Sequence, residues 1–582
     1  MVQVESNTNA WLHRPDRPLQ TTADGPLQGL RFAVKDNIDV QAWPTTAACP
    51  AFTSTAPAHA TVVQRLLDAG ATLEGKTNLD QFACGLNGTR SPYGAVPNAF
   101  DPTLVSGGSS SGSAVVVARG EVDFSLGTDT AGSGRVPAGL NNIVGLKPSR
   151  GLISAHGVLP AAQSLDCVSI FARTVGLAAR VFAQAVAHDP QDPYSRELPL
   201  VTTPWPAGFR FGVPDDLSAC DAPSRAAFER AIEQLKAQGG TPVTFDYQPF
   251  AEIADLLYES ALVAERYAAI RRFFDEHEAD VIEPVRGIVG RGRAYSAADW
   301  CEAQVRLQAL SQRARTAWKG MDVMVVPTMP IHASIADMQA DPVALNRRLG
   351  AYTNFVNLLD YAALSVPTGL RPDGLPFGVT LIAPAGMDWP LIELGQRVHH
   401  ASGLTQGATG EALPPPESLP LHAEPRVRVA VVGAHLSGMP LNGQLTERDA
   451  RLLQTTTTSA DYRFFALPGT TPPKPGLLRV APGQGAAIAV EVWDMPLRHY
   501  GGFVALIPAP LGIGSLELAS GERVQGFVCE HAATLGALDI THHGGWRAYM
   551  AQASRPAGQP LRSAPEPSIR FTLPSSNRRS SP

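Results

Sequence analysis

Two short loops rich in glycine and serine, with one lysine upstream, are the residues of this sequence best suited to chemistry. The loops are residues 107–113 and 127–135, and Lys35 lies in the segment 32–37. A serine hydroxyl becomes a nucleophile when a neighbouring base takes its proton, and a neutral lysine amine can be that base. Glycines let backbone N–H groups approach a developing oxyanion closely. The residues therefore predict a serine nucleophile activated by lysine through a second hydroxyl.

The surroundings of both loops favour a rigid site. A Gly/Ser run by itself is typical of a flexible linker. Here the apolar runs 114–118, 122–126 and 143–146 alternate with the loops, and such runs are able to enter a core. Loops held between buried elements commonly carry function on a rigid scaffold.

The three motifs, residues 34–37, 107–113 and 127–135, resemble the signature of the amidase-signature hydrolases. That family uses a triad of serine, cis-serine and lysine. The resemblance implies that Ser133 is the nucleophile, Ser109 the bridging cis-serine and Lys35 the base. Ser109 is selected by the family spacing, since it lies 24 residues before Ser133 and 74 after Lys35. From their chemistry alone, three other serines of the loop are equally suitable: Ser110, Ser111 and Ser113.

The residues around the triad have expected roles and alternatives. An oxyanion is expected to bind the consecutive backbone N–H groups at the entry to a helix, namely those of Thr130, Ala131, Gly132 and Ser133. Burial at the end of an apolar strand would lower the pKa of Lys35, as a neutral base requires. The alternatives are a lysine that extends to water and a serine that caps the helix. Asp129 and Arg135 are expected to form a structural ion pair.

Other catalytic motifs fit the sequence less well. Residues 108–112 match a GxSxG nucleophile elbow around Ser110, but residues 101–106 are a poor match for the strand that must precede it. The same loop lacks the GK[ST] ending of a nucleotide phosphate loop. The histidine pairs 399–400 and 542–543 lack partners at metal-ligand spacing. We therefore expect neither a metal nor a cofactor.

The order of elements between residues 29 and 403 predicts an α/β domain. Residues 31–40 and 321–327 have the pattern of strands, residues 60–69 that of a helix, and residues 223–319 that of a long helical insert. The family resemblance implies a layered α/β/α domain with a mixed central sheet. We place this catalytic domain at residues 1–405.

A second, β-rich domain is expected at residues 426–562, after a proline-rich linker at 406–425. Strands are predicted at four segments, 426–433, 486–493, 502–507 and 524–529, and a disordered tail at 563–582. The motifs 432–442, 508–514 and 544–549 resemble the C-terminal domain of the allophanate hydrolase family. That resemblance implies a smaller α+β domain similar to γ-glutamylcyclotransferases.

The resemblance implies hydrolysis of allophanate, which is urea with a carboxylate on one nitrogen, to ammonia and carbon dioxide through an acyl-enzyme. The reaction would belong to urea or s-triazine nitrogen degradation, after a urea carboxylase or a biuret hydrolase. Two residues of one helical segment, Tyr258 and Arg266, are implied as substrate ligands. Eight residues of helix place them about 80° and roughly 12 Å apart. The alternative is a surface arginine paired with Glu265 or Glu259.

Three rival functions remain at this stage. Two are enzymes, a broad-specificity aliphatic amidase and an amidotransferase A-type subunit, but the latter does not explain residues 426–560. The third is a non-catalytic carboxylate-binding module, against which the intact Lys35, Ser109 and Ser133 argue.

In the C-terminal domain His435 follows a predicted strand and is a candidate for proton transfer. Its alternative is a loop histidine bonded to backbone.

Composition and charge limit the kinds of partner that the protein can bind and the cellular compartment expected for it. The 582 residues suggest two or more domains. A net charge of −6 without a dense basic stretch argues against nucleic-acid binding. The sequence contains no run of about 18 apolar residues, which argues against a membrane span. Six scattered cysteines and an N-terminus without a secretory pattern predict a cytoplasmic protein. The resemblance implies a homodimer, although the segment before Lys35 is shorter than the helical lead usual in these enzymes.

Overall fold

The computed structural model describes residues 8–206, 208–422 and 424–553. The chain divides into two compact units between His422 and Ala423. The predicted disordered tail, residues 563–582, lies outside the described residues.

The first unit contains a long series of strands and helices. Its strands are β1 (Trp11–His13), β2 (Arg31–Lys35), β3 (Pro44–Thr45), β4 (Ser54–Thr55), β5 (Thr72–Thr77), β6 (Phe124–Asp129), β7 (Val144–Lys147), β8 (Cys167–Ala172), β9 (Arg210–Pro214), β10 (Thr241–Phe245), β11 (Val323–Pro327), β12 (Tyr361–Leu370) and β13 (Pro376–Pro384). Its α-helices are α1 (Thr61–Asp68), α2 (Ser111–Ala118), α3 (Val136–Leu140), α4 (Val175–Ala185), α5 (Ala222–Ala237), α6 (Gln248–Glu259), α7 (Ala264–His277), α8 (Val285–Gly290), α9 (Ala297–Arg315), α10 (Ile335–Ala340), α11 (Ala344–Leu349), α12 (Phe355–Leu358) and α13 (Asp388–Ala401). Short 3-10 helices are Pro50–Phe52, Gln81–Ala83, Ala261–Val263, Glu278–Asp280, Arg291–Ala294 and Thr316–Lys319.

Eleven of these strands form one sheet in the order β1-β5-β2-β6-β8-β7-β12-β13-β11-β9-β10. The neighbours β5, β2 and β6 are parallel, as are β11, β9 and β10, whereas β6 to β13 pair antiparallel. The mixed central sheet predicted by the resemblance is therefore confirmed. Because β5, β2 and β6 run in the same direction, their carboxyl ends meet at one edge of the sheet, where ligands commonly bind in open α/β folds.

Both faces of the sheet are covered, which makes the unit a three-layer α/β/α domain. In β11, Val323 and Val325 pack into one apolar cluster, while Met324 and Val326 pack into another. Successive side chains of a strand point to opposite faces. The two clusters are therefore the two inner layers between the sheet and its helices.

Two details of the first unit differ from the sequence-based expectation. The predicted strand 31–40 ends at Lys35, because the chain turns there and Ile38 N–H donates to the Lys35 carbonyl at 2.9 Å. The insert 223–319 is mainly helical, but it contains β10, which pairs in parallel with β9 at the edge of the sheet. Residues 402–422 have no α-helix or strand. They pack against the rest of the first unit, where Asn142 Nδ2 donates to the carbonyls of Thr405 and Gly407.

The second unit is β-rich. Its strands are β14 (Arg426–Val431), β15 (Arg451–Thr457), β16 (Tyr462–Ala466), β17 (Pro475–Arg479), β18 (Ala489–Pro496), β19 (Leu511–Glu517), β20 (Arg523–Cys529) and β21 (Leu538–Asp539), and its α-helices are α14 (Gly443–Thr446), α15 (Leu497–Val504) and α16 (Trp546–Ala553), with 3-10 helices at His531–Thr534 and Thr541–His543. Five strands form a sheet in the order β15-β18-β14-β20-β19, and three form another in the order β17-β16-β21. The strand predicted at 502–507 is wrong. Residues 502–504 end α15, whose buried Phe503 packs into the core of this unit, and residues 505–507 follow the helix.

Candidate active site

Lys35 ends β2 at the carboxyl edge of the sheet, and its side chain is completely buried. Its Nζ lies 2.7 Å from Ser109 Oγ and 2.7 Å from Thr128 Oγ1. Burial lowers the pKa of Lys35 to about 7, although the carboxylates of Asp80, Asp166 and Asp129 oppose that shift. The amine is therefore substantially neutral near pH 7.

The four serines of the first loop have different partners. Ser109 is the one whose hydroxyl reaches Lys35. The others donate to or lie near backbone carbonyls, Ser110 to Thr128 at 3.1 Å, Ser111 to Asn78 at 3.5 Å and Ser113 to Leu126 at 3.1 Å. The peptide bond between Gly108 and Ser109 is cis. Among the four serines, the distance to Lys35 therefore favours Ser109 as the bridging residue.

Ser133 lies in the loop between β6 and α3 and is 3% exposed. Its hydroxyl donates to the Gly85 carbonyl at 3.4 Å. Within the described residues no hydrogen bond joins Ser133 Oγ to Ser109 Oγ. Hydrogen bonds between catalytic groups are often loose in unliganded enzymes and tighten when substrate binds.

The backbone before Ser133 supplies unpaired donors. The N–H groups of residues 130–133 donate to no acceptor in the part of the chain that the structure describes. Gly132 has a φ of +150°, and a Cβ there would lie 2.4 Å from Thr353 Oγ1, so only glycine fits this position. The Asp129 carboxylate stabilises the loop, because it accepts hydrogen bonds from Arg135 Nε, Arg135 Nη2 and Gly134 N–H, each at 2.9 Å. The predicted Asp129–Arg135 ion pair is confirmed.

Tyr258 and Arg266 do lie together, but the predicted single helix between them is wrong. Helix α6 ends at Glu259, and Ser260 is fully extended, with φ −135° and ψ −179°. The chain then turns through a 3-10 segment into α7. This break brings Arg266 Nη2 to 3.2 Å from the Tyr258 hydroxyl and its guanidinium to 5.2 Å from the ring centroid.

Arg266 is a buried cation with few partners. It is 4% exposed, and its Nε and Nη1 have no hydrogen-bond partner. The two carboxylates considered as its surface partners are engaged elsewhere, Glu265 with Ser164 and Glu259 with Arg291. A buried charge without a counter-ion is costly, so this guanidinium is prepared to receive an anion.

The positive charge of Arg266 affects the pKa values of Lys35 and Asp166. It acts to lower the pKa of Lys35, after the larger effect of burial. It also acts to lower the pKa of Asp166, which burial nevertheless raises to about 6. Since Asp166 also accepts from the Thr130 hydroxyl, Arg266 and Lys35 lie in the same region of the domain as the 130–133 segment.

Two residues of the site escaped sequence reasoning. Thr128 lies beside Lys35, and Asp166 accepts a hydrogen bond from the Thr130 hydroxyl. Their roles depend on the pairing of β6 with β2 and with β8. The motif 127–135 contains Thr128, but strand pairing is not evident from the local sequence, so neither residue was given a role.

His435 lies in the second unit, in the loop after β14. It lines a cavity of about 170 Å³ with Gln444, Lys474 and Phe527. Its Nε2 lies 2.9 Å from Gln444 Oε1, and its ring stacks on Phe527 at 5.0 Å. Burial lowers the pKa of His435. This side chain therefore faces a pocket and a side-chain partner, as the catalytic alternative requires.

Within the described residues there is no group of three or more His, Cys, Asp or Glu side chains arranged to hold a metal ion. Among those same residues, no helix is both long enough and apolar enough to cross a membrane.

Comparison with known families matches two family models to the chain. The amidase family matches residues 7–392, and the allophanate hydrolase C-terminal domain matches residues 427–551. The first match covers the site around Lys35 and Arg266, and the second covers the pocket around His435.

Individual relatives extend over both units. The chain is 45% identical over 546 residues to a urea amidolyase of Lachancea kluyveri and 44% identical over 553 residues to one of Saccharomyces cerevisiae. These matches cover 90% and 92% of the chain but only 30% of either relative. The solved structure of Kluyveromyces lactis allophanate hydrolase matches with a TM-score of 0.71 and 41% identity, covering 94% of both chains. The chain therefore belongs to the amidase family and carries an allophanate hydrolase C-terminal domain after its amidase domain.

Proposed function

We propose that this protein is an amidohydrolase that hydrolyses allophanate to ammonia and carbon dioxide. The observation that supports this substrate is the buried guanidinium of Arg266, whose Nε and Nη1 have no hydrogen-bond partner and whose charge acts on Lys35. Allophanate carries its carboxylate close to the amide that is cleaved, so its site needs a cation near the nucleophile. The similarity to an allophanate hydrolase over 94% of the chain supports this assignment.

The first half of the reaction acylates Ser133. Neutral Lys35 takes a proton from Ser109 Oγ, which takes one from Ser133 Oγ, and Ser133 attacks the terminal amide carbonyl. The oxyanion is held by the N–H groups of residues 130–133. When the C–N bond breaks, the relay returns the proton to the leaving nitrogen, and ammonia departs.

The second half releases the acyl group. A water molecule gives its proton to the same relay and attacks the ester carbonyl, and Ser133 leaves with a proton returned to it. The product is N-carboxycarbamate, which breaks down to ammonia and carbon dioxide. Throughout, Arg266 and Tyr258 hold the carboxylate.

We assign His435 to the later decarboxylation, in the pocket of the C-terminal domain. Burial lowers the pKa of His435, so its imidazole is neutral near pH 7 and can accept a proton in this step. The test compares carbon dioxide release by His435→Ala and by the wild type, with release of the first ammonia as the control. A slower second step with an unchanged first step supports the role, and two unchanged rates exclude it.

Substrate choice is tested with allophanate, biuret, malonamate and simple amides offered in parallel to the purified protein. Biuret is the sharpest comparison, because it replaces the carboxylate of allophanate with a neutral carboxamide of similar shape. We expect kcat/KM for ammonia release to be highest with allophanate. Equal or faster release from biuret or from aliphatic amides would instead indicate a broad-specificity amidase.

The proposed substrate places the protein after a reaction that makes allophanate. A urea carboxylase or a biuret hydrolase performs such a reaction. Similarity to part of the urea amidolyases supports the link to urea. We further propose that the protein acts in the cytoplasm and forms a homodimer. Light scattering of the purified protein tests the dimer directly.

A further inference from the structure

The segment 161–166, between β7 and β8, is tied to the oxyanion-binding loop at one end. Asp166 Oδ2 accepts from the N–H groups of Ala161 and Ala162 at 2.7 and 3.1 Å, and Asp166 Oδ1 accepts from Thr130 Oγ1. Thr130 is the first residue of the run of unpaired N–H donors. One carboxylate therefore closes the segment on itself and attaches it to that run.

The same segment is tied to helix α7 by a second carboxylate. Glu265, in the first turn of α7, accepts from Ser164 N–H at 3.0 Å and from Ser164 Oγ at 2.6 Å. Glu265 directly precedes Arg266 in the chain. The position of the helix that carries the anion-binding guanidinium is thus fixed to the same short segment.

Two bonds from the surrounding domain hold the middle of the segment. Arg150 Nη1 donates to the Ser164 carbonyl at 2.6 Å, and Asn357 Nδ2 donates to the Leu165 carbonyl at 3.0 Å. Asn357 Nδ2 also donates to the carbonyl of Asp129, one residue before Thr130. The segment therefore acts as a stiff strut between the oxyanion-binding loop and α7.

Resting on the proposed function, we propose that Glu265 and Ser164 are positioning residues that determine specificity for a carboxylate-bearing amide. A single nitrogen separates the carboxylate from the scissile carbonyl in allophanate, and the molecule is conjugated and stiff. It cannot adapt to a site of the wrong length. A misplacement of about 1 Å can cost on the order of a hundredfold in rate. The strut sets the spacing between Arg266 and the oxyanion-binding loop to that of the substrate.

The test measures kcat/KM for allophanate and for biuret in the full-length protein, and takes their ratio. Glu265→Ala removes both bonds to Ser164, so we expect the ratio to fall at least tenfold while kcat/KM for biuret stays within about threefold. Glu265→Gln should restore most of the ratio, because its amide can accept from Ser164 N–H and donate to Ser164 Oγ. Ser164→Ala loses one bond and should fall between the two. If biuret is turned over too slowly, another neutral amide that the wild type hydrolyses replaces it.

A matched control is Glu259→Ala, which removes an exposed carboxylate paired with Arg291 at 3.4 Å at the end of the neighbouring helix. Its ratio should remain that of the wild type. An equal loss on both substrates in Glu265→Ala and Ser164→Ala, or an unchanged ratio, would overturn the proposal. A wild-type protein that does not prefer allophanate over biuret would instead refute the proposed function, so the two failures are distinguishable.

Discussion

At the scale of single residues, the chemistry depends on a lysine that gives up its charge. Lys35 is completely buried and has hydroxyl oxygens, not carboxylates, as its hydrogen-bond partners. Burial outweighs the attraction of the more distant aspartates, and the pKa of Lys35 falls to about 7. The site therefore contains a base at the pH at which the protein is expected to work.

Activity should consequently decline on the acid side. The neutral amine is the active form, so kcat/KM should fall towards tenfold for each pH unit below about 7, and level off above it. Malonamate suits the measurement, because its carboxylate has an ordinary pKa of about 4 and stays ionised above about pH 5. Asp166, whose pKa is raised to about 6, also titrates in this pH range. Asp166→Asn should keep the acid limb, and a flat profile from about pH 5 to 9 would contradict the lysine base.

Arg266 should select for the charge of the substrate. Arg266→Leu removes a charge-assisted hydrogen bond worth about 1.5–3 kcal/mol, so kcat/KM for allophanate should fall about tenfold to more than a hundredfold. Biuret should lose much less. Arg266→Lys, which keeps the charge but not the planar fork, should recover only part of the loss. A similar loss on both substrates would mean that Arg266 serves the fold alone.

At the scale of elements, the loop between β6 and α3 must leave its N–H groups free, and glycine makes that geometry available. Gly132→Ala should lower kcat strongly, because the new Cβ would lie 2.4 Å from Thr353 Oγ1 and force the loop to move. Thermal unfolding of the variant checks that the domain still folds. A folded Gly132→Ala protein with the wild-type kcat would show that these donors are not needed.

The sequence identifies the motifs of the candidate site better than it predicts the helices, breaks and strand pairings that position those motifs. The order of apolar runs and the two loops was sufficient for the α/β class, and the family spacing selected Ser109 among four similar serines. The break at Ser260 was not predicted, because residues 258–267 have helical composition and the extended conformation of one serine leaves no periodic signal. The strand predicted at 502–507 is a helix end for a related reason, since a short apolar run fits either structure. Thr128 and Asp166 depend on strand pairing, which a single sequence does not reveal.

At the scale of the whole molecule, the proposed triad and the proposed substrate ligands all lie in the first unit, and the His435 pocket lies in the second. A protein ending near residue 422 should therefore release the first ammonia at a rate within a few-fold of the full-length protein. Carbon dioxide release should lag behind, because the second domain is absent. Loss of the first step in a truncated protein that is folded by circular dichroism would place part of the amidase site in the C-terminal domain.

The central claim is that Ser133, activated through Ser109 by Lys35, cleaves allophanate. The most direct measurement is the initial rate of ammonia release from allophanate by Ser133→Ala beside the wild type, with matched thermal unfolding as proof of an intact fold. The rate of Ser133→Ala should fall to the level of the reaction without enzyme. A folded Ser133→Ala protein that releases ammonia at the wild-type rate would contradict the account.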